Sequence, residues 1–464
     1  MHPPTEKHRL KIHFLGGAKT VTGSKFLIET PEIHILIDCG MFQGLKELRE
    51  RNWVDLPVDV SAIAMVLVTH GHLDHTGYLP RLVQQGFKGT IMGTAPTLEI
   101  TRIILEDSAR IHEEDAERAN EEHFTKHHPA KPFYNQKEAA ATLRFFKPIE
   151  EGSWIRLSQH VKCRFQPVGH IIGATFIELE MYGKRFVFSG DVGRPIDYLL
   201  APPEQPLRAD YLFLESTYGD RLHEEDPPED KIIALVNKVI ESRGTLIIPS
   251  FAVERLQTLM YILWKLYQKN RIPNIPIYVD SPMGNNVLAV FEQFPKWHKL
   301  SLQEYEAMCD HINIVTSYKE TWEVIDKQGP KIVIAGSGMV TGGRVLTYLK
   351  QMIDMESTQL LLVGYQAEGT RGRHLQEGVH EVKLYAKYVP VKAQVHQLMS
   401  LSAHADQREL LDWLGYLDTA PHMTYLVHGE AAAANALRVK LQTEKKWRIH
   451  IPELNEVVSV ELST

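Results

Sequence analysis

Residues 69–77 read THGHLDHTG, placing His70, His72, Asp74 and His75 within six positions, directly behind the apolar run Ile63-Ala64-Met65-Val66-Leu67-Val68. The run reads as a buried strand and HTGYLPRLV, just after it, as a helix. A loop at a strand end can turn several side chains toward one point while the sheet holds them still. Neutral imidazole and carboxylate, with no thiolate nearby, suit zinc and its neighbours. Residues 70 and 72 share a side, whereas 74 and 75 point elsewhere. That separation fits two ions about 3.5–4 Å apart better than one.

The chain around this loop is an ordinary globular sequence. Its 464 residues are 44% hydrophobic and 23% charged, long enough for two or three domains. A formal net charge of −7 does not advertise a polyanion binder. Attraction to nucleic acid would have to come from a local patch or from bound metal. Cys39, Cys163 and Cys309 are scattered, with no CxxC, which argues against a disulfide framework and a thiolate zinc site. The opening MHPPTEKHRLKIHF lacks the apolar core of a signal peptide, and no run approaches 18 apolar residues. The expectation is a cytoplasmic protein with no membrane partner.

Short apolar runs (LKIHFLGG, KFLIET, IHILIDCG, IAMVLVTH) read as strands. Thr97 to Leu143 reads as helices packed on that first sheet, with HEEDAERANEE a solvated face and HHPAKP a turn. From about Asp210 the grammar changes. ADYLFLEST, GTLIIPSF, IPIYVDS, PKIVIAGSG and TQLLLVGY alternate with helical segments, the pattern of a parallel sheet covered on both faces.

Further ligands are expected at strand ends followed by glycine, and PVGHIIG, FSGDVG and LVHGE supply His170, Asp191 and His428. Asp38, in LIDCG, also ends a strand and is expected to orient the histidines from behind. This set resembles the metallo-β-lactamase superfamily, which implies an α/β fold, the αβ/βα sandwich. The resemblance implies one zinc on His70, His72 and His170 and another on Asp74, His75 and His428, with Asp191 bridging. Metal-type residues stop at 191 and resume at His404, with a self-contained α/β pattern between them. That arrangement is similar to the β-CASP branch, RNA-processing nucleases such as the nuclease subunit of the cleavage and polyadenylation specificity factor. Glu215 in LFLESTYGDR, His404 in LSAHAD and His428 in VHGE match its further motifs. The expected domains are 1–208 and 395–464 as the two parts of a metallo-β-lactamase domain, and 209–394 as an inserted β-CASP domain with a parallel α/β sheet.

The resemblance implies two Zn²⁺ per chain and a single-stranded RNA substrate, since a histidine at position 428 is typical of RNA-directed members. It also implies a homodimer. RNA targeting by an accessory module is expected to be absent or supplied by a partner. In the expected mechanism, Asp74 steers the water and His404, held by Glu215, protonates the leaving 3′-oxygen. The products are a 5′-phosphate and a 3′-hydroxyl, and cleavage is expected to be endonucleolytic. Backbone phosphates are expected to meet Ser216, Thr217, Tyr218 and Arg221, the turn Gly336, Ser337, Gly338 and Met339, and Arg371 and Arg373. Phe251, beside a cleft between domains, is a candidate for base stacking. The alternatives are a 5′–3′ exoribonuclease, a DNA nuclease, another hydrolase of this fold and, in a different class, a silent RNA-binding scaffold.

Overall fold

The computed structural model describes residues 9–122, 129–224, 227–385 and 387–461. The first two residues of HHPAKP lie outside them. The chain divides into two compact units. The first is Met1–Ile196, Pro202–Leu222 and His404–Thr464; the second is Asp197–Ala201 and His223–Ala403.

The first unit holds two seven-stranded sheets. One runs, edge to edge, through Val457–Glu461, Arg9–Gly16, Lys25–Glu29, His34–Ile37, Ile63–Leu67, Thr90–Thr94 and Phe146–Ile149. Side-chain alternation decides its two faces. Phe26, Ile28, Ile35 and Ile37 join a core with Phe165, Ile177, Phe188 and Phe213 of the other sheet. Leu27 and Leu36, one position out of phase, pack instead with Leu79, Leu98, Leu105 and Ala139 of the helices outside. The second sheet runs Ile449–His450, Met423–Val427, Tyr211–Glu215, Lys184–Phe188, Thr175–Met181, Val161–Pro167 and Ile155–Arg156. Helix Ala431–Glu444 buries Leu437 and Leu441 beside its Met423–Val427 strand. This is the expected sandwich of two sheets with helices outside.

The second unit is built on a six-stranded sheet in the order Asn313–Ile314, Ile277–Asp280, Lys331–Ala335, Thr245–Pro249, Thr358–Val363 and Gln394–Leu398. Every pairing is parallel. Leu246, Ile247 and Ile248 are all fully buried, as a strand covered on both faces requires. Ile247, Val333, Leu360 and Leu362 share a core with Val345, Leu349 and Met352 of helix Val345–Met352.

Two strands sit in a different sheet from the one expected. Tyr211–Glu215 pairs in parallel with Lys184–Phe188 and Met423–Val427 in the first unit. Gln394–Leu398 pairs in parallel with Thr358–Val363 in the second. An apolar strand between parallel neighbours has the same composition in either sheet, so the sequence pattern could not assign them. Among the described residues, no helix is long and apolar enough to cross a membrane.

Candidate metal centre

Strand Ile63–Leu67 delivers the histidine loop. Thr69 is its anchor, donating its N–H and its hydroxyl to Asp38 Oδ1 and Oδ2, each at 2.8 Å. Asp38 ends the neighbouring strand at φ 56°, a left-handed conformation that Asp tolerates better than most residues. Its Oδ2 also accepts from His75 Nδ1 at 2.7 Å. That bond orients the ring so that Nε2 points inward. Burial would lower the His75 pKa, but Asp191 and Asp38 outweigh it and raise it well above the usual histidine value, so a metal ion there would displace the Nε2 proton. A short helix, Leu73–Thr76, turns His75 back toward Asp38. Gly40 allows this packing: a Cβ there would lie 1.5 Å from the Asp74 carbonyl oxygen.

Three ring nitrogens converge. His70 Nε2 and His170 Nε2 lie 3.1 and 3.2 Å from His72 Nδ1. Asp191 Oδ2 stands 3.5 Å from His70 Nε2 and 3.6 Å from His170 Nε2. Tetrahedral zinc with bonds of about 2.0–2.1 Å separates its nitrogen ligands by about 3.3 Å. The nitrogens are therefore already spaced as ligand edges.

A second set gathers on the other oxygen of Asp191. Its Oδ1 lies 3.3 Å from His75 Nε2 and 3.5 Å from His428 Nε2, and Asp74 Oδ2 lies 3.7 Å from His428 Nε2. His75 Nε2 and Asp191 Oδ1 are buried atoms with no hydrogen bond of good geometry. Such atoms are costly unless a cation joins them. Both donor sets therefore fit a metal ion, and Asp191 faces both.

The charges agree. Burial, reinforced by the charge of His75, holds the His70 pKa well below the usual histidine value. Burial also pushes His428 down to about 3. Both rings are thus neutral, the form that ligates. Burial would raise the Asp191 carboxyl, but His428, His75 and His70 together hold it well below the carboxylate range. Burial lifts Asp74 to about 6.

Glu215 is fully buried and accepts from the Val192 N–H at 2.6 Å and the Thr217 N–H at 3.3 Å. Its Oε1 lies 3.3 Å from His404 Nδ1, and His404 Nε2 stands 4.0 Å from Asp191 Oδ2. Burial disfavours the imidazolium, but the Glu215 carboxylate outweighs it and raises the His404 pKa. The following helix, Gln407–Trp413, is capped by Asp406, leaving the His404 ring to Glu215. The seven candidate ligands, Asp38, Glu215 and His404 thus lie together in the first unit.

The expected phosphate contacts fare differently. Ser216 and Thr217 are buried, and their hydroxyls donate to the carbonyls of Val427 and His428, bracing the strand that carries His428. Tyr218 is 1% exposed. The hydroxyls of Ser216 and Thr217 are thus taken up inside the protein. Arg221 lies against Asp220 at 2.7 Å. In the second unit, Ser337 Oγ accepts from the N–H groups of Thr341 and Gly342, closing the Gly336–Met339 turn on itself. Arg371 donates to the carbonyls of Val340, Thr341 and Lys383, and Arg373 to Glu377 and the Gln366 carbonyl. The Phe251 ring sits where a Cβ on Gly338 would fall, at 2.6 Å, as a packing contact.

Two supporting residues carried no sequence signal. Ser24 Oγ lies 2.7 Å from His428 Nδ1. Lys25, 1% exposed, donates to the carbonyls of Gly23 and Gly40 at 3.0 and 2.6 Å.

Comparison with known proteins agrees with this geometry. Residues 20–235 match the metallo-beta-lactamase superfamily, 256–375 the Beta-Casp domain, and 388–452 the Zn-dependent metallo-hydrolase RNA specificity domain. The chain belongs to the β-CASP family of metal-dependent hydrolases with the metallo-β-lactamase fold. It is 33% identical over 460 residues to Ribonuclease TTHA0252 of Thermus thermophilus, covering 97% of this chain and 100% of that protein. It is 30% identical to an RNase J-like protein of Methanocaldococcus jannaschii, covering 91% of this chain and 92% of that one. Transcription termination factor FttA of the same organism is 28% identical, covering 91% and 67%. A crystal structure of a protein of unknown function from Enterococcus faecalis V583 shares the fold, with TM-score 0.53 and 12% identity over 97% of this chain and 100% of that one.

Proposed function

We propose that the protein is a ribonuclease that holds two zinc ions per chain and cuts single-stranded RNA internally, leaving a 5′-phosphate and a 3′-hydroxyl. The observation that carries this reading is the pair of donor sets on the two oxygens of Asp191, with His404 Nε2 4.0 Å from that carboxylate. One set is His70, His72 and His170; the other is Asp74, His75 and His428. When bound, the metal ions lower the pKa of water toward neutrality and neutralise phosphoryl oxygens. Asp74 orients the attacking water. His404 gives its Nε2 proton to the leaving 3′-oxygen, while Nδ1 remains on Glu215. Relatives named as a ribonuclease and as RNase J-like support RNA as the substrate, as does a histidine at position 428.

The test uses zinc-loaded protein and one single-stranded RNA labelled in parallel at its 5′ and 3′ ends. DNA of the same sequence and an Asp74→Ala protein serve as controls. Internal fragments with 5′-phosphates, absent in both controls, are expected. Mononucleotides released from the 5′ end would make the enzyme an exonuclease. Intact RNA with two zinc ions bound would overturn the reading.

A further inference from the structure

The second unit carries a surface in which aromatic rings and cations alternate. Tyr318 and Trp322 lie on helix Tyr318–Asp326, 50% and 40% exposed, with ring centres 6.5 Å apart. Tyr385, 40% exposed, follows strand Glu381–Leu384. Both tyrosine hydroxyls reach Thr347 Oγ1, Tyr318 at 2.8 Å and Tyr385 at 3.2 Å. Thr347 is the middle of a ridge, Arg344–Thr347–Lys350, whose three-residue spacing places all three on one side of helix Val345–Met352. The guanidinium of Arg344 lies 4.4 Å from the Tyr318 ring centre and is itself largely buried, 3.6 Å from Asp280, whereas the exposed Lys350 places Nζ 5.3 Å from the Tyr385 ring centre. On the adjoining hairpin, Lys383 and Tyr388 are cross-strand partners, both facing solvent.

Large aromatics are normally buried, so two exposed tyrosines tied to one ridge residue, with the exposed Trp322 beside one of them, ask for an occupant. The phenols are tethered by their hydroxyls, which lowers the entropy cost of stacking a ligand on them. Around Tyr318, Glu320 accepts from Thr316 and Ser317, Glu323 lies 3.7 Å from Lys319 and Arg344 lies 3.6 Å from Asp280, so the cations left facing solvent beside the rings are Lys350 and Lys383. A purely apolar partner would not match the cations, and a folded acidic protein would not need the rings. Ring faces with interspersed cations fit a strand whose bases are free to stack and whose backbone is anionic. The whole chain carries −7, so a local patch of this kind is where affinity for a polyanion can reside.

We propose that Tyr318, Trp322, Lys350 and Tyr385 form a binding track for single-stranded RNA, a site additional to the candidate metal centre. The proposal rests on the ribonuclease reading and names a surface through which that substrate is held. The track grips without reading sequence, since every base has a stacking face.

The experiment measures the affinity of full-length, zinc-loaded protein for a labelled 20-nucleotide RNA by fluorescence anisotropy. The same preparations are assayed for hydrolysis of bis(p-nitrophenyl) phosphate, which is too small to use the track. Tyr318→Ala/Trp322→Ala is expected to weaken RNA binding about tenfold or more, with hydrolysis of the small diester unchanged. Lys350→Gln, on an exposed helix position, is expected to weaken binding and flatten its dependence on salt. Affinities within twofold of the parent for both variants overturn the track. If the double variant also loses diester hydrolysis, the Lys350→Gln result decides alone. A parent protein that binds no RNA but hydrolyses the diester defeats the ribonuclease reading. Unchanged RNA affinity with altered self-association reassigns the surface to a second copy of the chain.

Discussion

Asp38 Oδ2 accepts a hydrogen bond from His75 Nδ1 at 2.7 Å, and the same carboxylate holds the backbone and hydroxyl of Thr69. One side chain therefore sets both the orientation of a candidate ligand and the path of the loop that carries the others. Asp38→Ala is expected to weaken zinc binding about 10–100-fold, the usual effect of removing an outer partner of a ligating histidine. Competition with a chromophoric chelator measures it. Unchanged affinity would mean that His75 is held by packing alone.

Zinc content should follow the two donor sets. His428→Ala is expected to lower bound metal from two ions to one, and Asp191→Ala to lower both affinities, because its oxygens face both sets. Elemental analysis after dialysis gives the stoichiometry. Full removal by chelator is expected to lower the melting temperature, since binding to the folded state alone stabilises it by mass action.

His404 and Glu215 should be separable from the metal by choice of leaving group. His404→Ala is expected to reduce RNA cleavage about 10²–10⁴-fold with zinc content unchanged. The same variant should lose far less on bis(p-nitrophenyl) phosphate, whose leaving group needs no proton. Glu215→Gln is expected to lose RNA cleavage in the same direction. Equal losses on both substrates would place His404 outside proton transfer.

Acid stability is expected to depend on His112, which stacks edge-on against Phe133 and Tyr134. Burial pushes its pKa down to about 4. The unfolded chain, titrating near 6.5, then binds more protons between about pH 4 and 6.5. Stability from this residue is complete above 6.5 and is lost as pH falls through 4. A drop of about 2.5 pKa units corresponds to roughly 3 kcal/mol. His112→Phe is expected to flatten that part of the stability profile in urea titrations at pH 7 and pH 4.5. An unchanged profile would show that His112 is solvated when charged.

The candidate metal centre was legible because its residues are chemically conspicuous: His70, His72, His170, Asp191 and His428 follow strands, and Asp74 and His75 sit on the short helix Leu73–Thr76 that the first of these loops leads into. The supports were not. Ser24 and Lys25 are ordinary residue types at the start of an ordinary strand, and only the fold brings Ser24 to His428 across 404 positions. Ser216 and Thr217 are the opposite case. Hydroxyls in a Gly-containing loop suggest phosphate, yet here they tie strand Tyr211–Glu215 to its neighbour. Tyr211–Glu215 and Gln394–Leu398 were visible as strands, while their sheets depended on partners that composition does not encode.

His428 also donates its backbone N–H to the Gly17 carbonyl at 2.7 Å, joining two segments that are made far apart in time. The order of translation thus becomes part of the enzyme's chemistry. A nascent chain holding everything through residue 400 still lacks both His404 and the last nitrogen of the centre. The candidate site therefore closes late, after the message that encodes it has largely passed through the ribosome.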